Sequence, residues 1–152
     1  MRGKFLHNQV MIALPISALR SLGYAVAVEY PVRAGRRPPC VDGVAIGNDN
    51  CIVLEAECSP ARAINDLAKA RAIAADVLLI IVPDAGLRSR VCAVLNRLPG
   101  HNAPIAPKVL VLTLGAALRW ISQNCPPVAR QSATNENNRR NQRLPRTTTT
   151  DI

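Results

Sequence analysis

The sequence predicts an α/β domain built on a mixed sheet, and three observations predict it. Segments of helical period alternate with short segments of strand period along residues 1–126. Two β-type runs, Val41 to Ile46 and Cys51 to Glu57, are joined by Gly47-Asn48-Asp49-Asn50, which is strong turn chemistry and makes them a hairpin. A later run, Val77 to Val82, is apolar at every position, as expected of a strand buried between two layers. A hairpin set inside an alternating pattern requires antiparallel and parallel neighbours in one sheet, with helices on its faces.

The elements follow in order. Phe5, Leu6, Val10, Ile12, Ala13, Ile16, Leu19 and Leu22 recur at helical spacing, with Pro15 expected to kink or divide the helix and Gly23 to end it. Tyr24 to Tyr30 alternates, which puts Tyr24, Val26, Val28 and Tyr30 on one strand face and Glu29 on the other. Pro31 to Pro39 reads as a basic loop, and the hairpin follows it. Ser59 before Pro60 reads as a hydroxyl cap followed by proline at the first helical position. The helix then runs from Ala61 to Ala75 on the period of Ile64, Leu67, Ala68, Arg71 and Ala72. After the strand at Val77 to Val82, Asp84 caps a helix to about Leu98, Lys108 to Leu114 is a further strand, and Ala116 to Gln123 a last helix. No glycine-rich phosphate loop occurs.

Composition narrows the function. The 152 residues, 49% of them hydrophobic, suit one domain with a real core. The apolar runs fall far short of the ~20 residues a membrane-spanning helix needs, and the first 20 residues lack the pattern of a secretory leader, so the chain reads as cytoplasmic. Cys40, Cys51, Cys58, Cys92 and Cys125 form no zinc-ligand pattern and, being odd in number, no disulfide scaffold. The net charge is +9, and of the 19 cationic side chains all but Lys4, Lys69 and Lys108 are arginine, the cation suited to bidentate phosphate contact. A polyanionic partner such as DNA is favoured, with a general solubility bias as the plainer alternative. Residues 127–152, polar and Arg-rich, read as a disordered basic tail behind a domain at 1–126.

The acids of the hairpin carry the chemical signal. Glu55 and Glu57 are two apart on one strand and so share a face, about 6.5 to 7 Å from each other. Asp42 lies across the hairpin from about position 55, so the three carboxylates can converge. Like charges brought together in a partly buried place raise one another's pKa values, and a divalent cation removes that cost. Mg²⁺ takes carboxylate, water and phosphate oxygens, which suits phosphodiester hydrolysis. The plainer reading makes these acids solvent-facing hairpin residues, but two glutamates in an otherwise apolar strand call for a reason.

Pro39-Cys40-Val41-Asp42, then twelve residues, then Glu55-Ala56-Glu57, following Gly23-Tyr24 at the first strand, resembles the PD-(D/E)xK, or restriction-endonuclease-like, nucleases. Their shared core is helix, three strands, helix, strand (αβββαβ) on a mixed central sheet, and the order from Phe5 to Pro83 matches it, with an extra C-terminal helix-strand-helix. The resemblance implies Asp42 and Glu55 as ligands of Mg²⁺ or Mn²⁺. Glu57 departs from the family's lysine, as in members with E-x-E, where it would be a ligand or orient the attacking water. In other members the lysine has moved to the following helix, where Lys69 stands here.

Glu29 is a possible further ligand or an edge charge. Arg33, Arg36 and Arg37, entering the hairpin beside the acids, are the candidates for phosphate contact, or a solvated loop. The expectation is a metal-dependent DNA endonuclease, for which the resemblance suggests a homodimer. The alternatives are a non-catalytic nucleic-acid-binding module of the same fold and a regulatory or assembly protein that binds no nucleic acid.

Overall fold

The structure, a computed structural model, describes residues 2–33, 38–98 and 107–129, with side chains from Gln9 onward. Five strands form one sheet in chain order: β1 (Ala25–Pro31), β2 (Cys40–Gly47), β3 (Asn50–Ala56), β4 (Val77–Val82) and β5 (Lys108–Thr113). The first three run antiparallel to their neighbours, whereas β3, β4 and β5 are parallel. The sheet is therefore mixed and open, as the embedded hairpin requires. Asn48 and Asp49 both have positive φ (50° and 58°), the left-handed geometry a two-residue hairpin turn demands.

Helices cover both faces. α1 (Arg2–Ser21) and α4 (Leu114–Asn124) lie on one, α2 (Ala63–Ala72) and α3 (Ala85–Leu95) on the other. Every residue of β4 is buried because both its faces are roofed. Its odd positions, Val77, Leu79 and Ile81, join Ile12, Ile16 and Leu19 of α1 and Ile121 of α4. Its even positions, Leu78, Ile80 and Val82, join Leu67 of α2 and Leu87, Val91 and Leu95 of α3. Trp120 packs half-buried against the α1 side.

Several sequence expectations are corrected. Pro15 does not divide α1, which is one helix with Met11, Ile12, Ile16 and Leu19 seated on the sheet on either side of the proline, while Val10 is exposed. Glu29 has φ 50°, and the β1–β2 register passes from Val28↔Gly43 to Tyr30↔Val41 without pairing it, so strict alternation fails there. A 3₁₀ turn (Pro60–Arg62) precedes α2, and the Ser59 hydroxyl caps nothing. The buried stripe of α2 is Ala63, Asp66, Leu67 and Ala70, one residue out of phase with the period read from the sequence; Ile64 is exposed.

The body also continues past residue 126. Val128 N donates to Leu22 O (2.7 Å) and Asn48 Nδ2 to Pro126 O (2.9 Å), strapping the end of the described chain across the α1–β1 turn and the hairpin tip. A Cβ on Gly47 would come within 2.6 Å of Val128 and 2.8 Å of Tyr24, so only glycine fits under the strap. The expected tail from 130 onward lies outside the described residues.

Asp84 caps α3 as expected, Oδ1 accepting from Leu87 N at 2.7 Å. Asp84→Ala is expected to cost about 1 kcal/mol, read as a lower urea midpoint at an unchanged slope.

Candidate active site at a fork between two strands

β2 and β3 stop pairing partway along their length. The last pair of the ladder is Gly43↔Leu54, and the next two residues, Asp42 and Glu55, stand where the strands part. β3 stays with β4 through Glu55↔Ile80 and Ala56↔Ile81, and Glu57 N still donates to Ile81 O at 2.9 Å. β2 therefore peels away, leaving backbone groups that need partners. Side chains supply them: Asp42 Oδ2 accepts from Ala56 N at 2.8 Å, and Lys69 of α2 donates from Nζ to Cys40 O at 3.1 Å.

Lys69 reaches across the fork to the acids. Its Nζ is 2.5 Å from Glu55 Oε1 and 2.8 Å from Asp66 Oδ1. Glu55 is 3% exposed and Asp66 4% exposed, so both contacts lie in a low-dielectric place. The Glu55 contact is close but lies off hydrogen-bond direction, and Glu55 Oε1 and Asp66 Oδ2 are each left without a hydrogen-bond donor. Buried carboxylate oxygens in that state are costly and call for a proton or a cation.

The charges follow from that geometry. Burial, then the Asp66 carboxylate, pushes Glu55 up to about 8, against the pull of Lys69, and Asp42 adds to the rise. Asp66 is raised by burial, with Lys69 opposing and Asp42 adding. Burial works against the Lys69 ammonium, but Asp66 and Glu55 outweigh it and hold its pKa above the usual lysine value. Glu55 and Asp66 share the Lys69 ammonium, and the Asp42 charge bears on both acids.

The three hairpin acids do not converge. Glu57 lies beyond the last residue of β3, where alternation no longer governs the side chain, and the chain is already turning toward Pro60. Its Oε1 accepts from Cys58 N and Ser59 N, both at 2.7 Å, and its carboxyl stands against Asp66. Burial, with the Asp66 charge, raises its pKa against those amides and Arg62. Among the described residues no three His, Cys, Asp or Glu side chains are arranged to hold a metal ion.

On the α1 side, an open cavity of about 450 Å³ has Asp42 in its wall, together with Gln9, Ile12, Ile16, Arg20 and Glu29. Gln9 and Arg20 are eleven residues apart on α1, so the cavity follows the helix for roughly 16 Å at ~1.5 Å per residue. Glu29 thus shares a cavity with Asp42, because its left-handed backbone interrupts β1 opposite that acid. Arg33 is exposed, and Arg36 and Arg37 lie outside the described residues.

Of the sequence candidates, then, Asp42, Glu55 and Lys69 meet at the fork, Glu57 serves the turn behind it, and Glu29 flanks the cavity. Asp66 is the member that sequence reasoning missed. Its signal is an acid in the buried stripe of α2, three residues before Lys69.

No family model, curated protein or solved structure matches this chain. Among the described residues no helix is long and apolar enough to cross a membrane.

The raised carboxylates make stability depend on pH. Folding lifts Glu55 from 4.5 to about 8, so the native state holds a proton that the unfolded chain gives up. Its contribution is complete below about pH 4.5 and is lost as pH rises through about 8, with Glu57 and Asp66 moving in the same sense. Urea midpoints are expected to fall from about pH 5 to about pH 9, and Glu55→Gln to flatten that decline. Equal slopes in the two proteins would show that Glu55 is not the titrating group.

Proposed function

We propose that this protein is a divalent-cation-dependent nuclease that hydrolyses DNA phosphodiester bonds on a restriction-endonuclease-like core. One observation carries the reading: Asp42 and Glu55 sit on two strands at the point where they part, and Lys69 of the following helix is delivered onto Glu55. An acid from each strand and a nearby lysine are the parts that the PD-(D/E)xK resemblance leads one to seek, and Lys69 supplies the cation that Glu57 does not.

The residues suit a hard cation. The donors are all carboxylate oxygens, acids outnumber the ammonium, and Glu55 Oε1 is buried without a donor. Mg²⁺ commonly uses one or two carboxylates and completes its shell with water and substrate phosphate, so Asp42 and Glu55 suffice. When bound, such an ion lowers the pKa of water and neutralises charge building on the phosphoryl oxygens. Asp42 is aimed by Ala56 N, Glu55 gives up its proton on binding, and Lys69 stabilises negative charge developing beside it. The cavity along α1 gives a DNA strand access to Asp42, with Arg20 available for phosphate contact.

A second reading, a DNA-binding module without catalysis, is favoured by the tie of Lys69 to Cys40 O, Glu55 and Asp66, which bridges the fork. Supercoiled plasmid, single-stranded DNA and a four-way junction, each incubated with Mg²⁺ or Mn²⁺, separate the two. Cutting that is abolished by chelator and by Glu55→Ala, and lowered about 10²- to 10⁴-fold in Lys69→Met, is the expected result. DNA binding indifferent to metal and to Glu55→Ala, without cutting, selects the module.

The metal fit has its own readout. Calorimetric titration with Mg²⁺ near pH 7, in two buffers of different ionisation enthalpy, is expected to show release of about one proton in the wild type and none in Glu55→Gln. Binding with no proton release would place the ion away from Glu55.

A further inference from the structure

Lys69 has three N–H groups and three oxygen neighbours: Cys40 O at 3.1 Å, Asp66 Oδ1 at 2.8 Å and Glu55 Oε1 at 2.5 Å. Cys40 O and Asp66 engage two of the N–H groups, and Glu55 Oε1 crowds the third side of the ammonium. The three neighbours are not equivalent. Cys40 O accepts a hydrogen bond from Nζ, and Asp66 pairs with it from one helical turn away on the same helix, so both move with the scaffold. Glu55 touches Nζ off hydrogen-bond direction, which leaves its Oε1 without a donor. Glu55 is the partner that can leave.

We propose that Asp66 is a positioning residue that keeps Lys69 at the fork when Glu55 turns to a divalent cation, so that the side of the ammonium uncovered by Glu55 addresses the phosphoryl group. Its substrate rests on the nuclease reading; its geometry does not. Asp66 occupies a core position of α2, in line with Ala63, Leu67 and Ala70, where an apolar side chain would pack without cost. Its carboxyl, 4% exposed, is buried beside that of Glu57, a penalty that packing alone does not explain. Holding the ammonium in place together with Cys40 O does explain it.

Two measurements test this, one of them independent of catalysis. Pulse labelling of amines with an acetylating ester, read by mass spectrometry, reports on Lys69 against the exposed Lys108 as internal reference. In the wild type, Lys69 is expected to stay at least tenfold less reactive than Lys108 both without and with Mg²⁺. In Asp66→Asn, Mg²⁺ is expected to bring Lys69 to within a few-fold of Lys108. Wild-type Lys69 becoming as reactive as Lys108 on adding Mg²⁺ would overturn the proposal, and because that reading needs no variant it survives any failure of Asp66→Asn to fold. Single-turnover cleavage is expected to show kcat down about 100-fold in Asp66→Asn at a KM within threefold of wild type, with part of the rate recovered in Asp66→Glu. An unchanged kcat would also overturn it. Should the wild type cut no DNA, the nuclease reading fails and the labelling alone decides the role of Asp66.

Discussion

The parting of β2 from β3 after the Gly43–Leu54 pair is the constraint on which the site depends. An antiparallel ladder that stops partway strands backbone donors and acceptors along the parted edges, where side chains can take them up. Here the donor at Ala56 is taken by Asp42 and the acceptor at Cys40 by Lys69. The same two contacts that repair the backbone thereby fix a carboxylate and an ammonium beside Glu55. Structural repair and chemical arrangement are one set of atoms.

Burial then gives the fork its electrical character. Glu55 projects toward α2, on the same side of the sheet as Val53 and beneath the stripe of Leu67, and water cannot dilute its charge there. Asp66 and Asp42 make ionisation harder, while Lys69 makes it easier. The result is a carboxyl that changes protonation within reach of neutral pH, so a cation bound there would have to displace its proton. Glu57, two residues on, meets the backbone amides of a turn and has a different task, though in the sequence the two glutamates look equivalent.

Element order and sheet type were readable because strand and helix periods differ and because the hairpin turn and the Asp84 cap are local signals. The opposition of Asp42 and Glu55 also followed from counting back from that turn. What escaped was phase. Alanine occupies many positions of α2 and reports weakly on which side is buried, so Ile64 looked like core and Asp66 was overlooked. Glu57 misled because alternation was carried one residue past the end of the strand. Glu29 departed from it because a left-handed residue inside a strand leaves no trace in a pattern of apolar and polar side chains. Each of these depends on contacts between segments distant in sequence.

The strap from Cys125 to Val128 has a consequence for how the molecule is made. Strands β1 to β5 lie side by side in the order of synthesis, so each can add to the one before it as the chain lengthens. The first helix cannot finish in that way. α1 packs on α4, and its exit is latched where Leu22 O receives Val128 N, so its final seat exists only after residues 114–128 have left the ribosome. Because α1 forms one wall of the cavity beside Asp42, the most sequence-distant contacts of the fold, slow to close by their loop entropy, are also the ones that complete that wall.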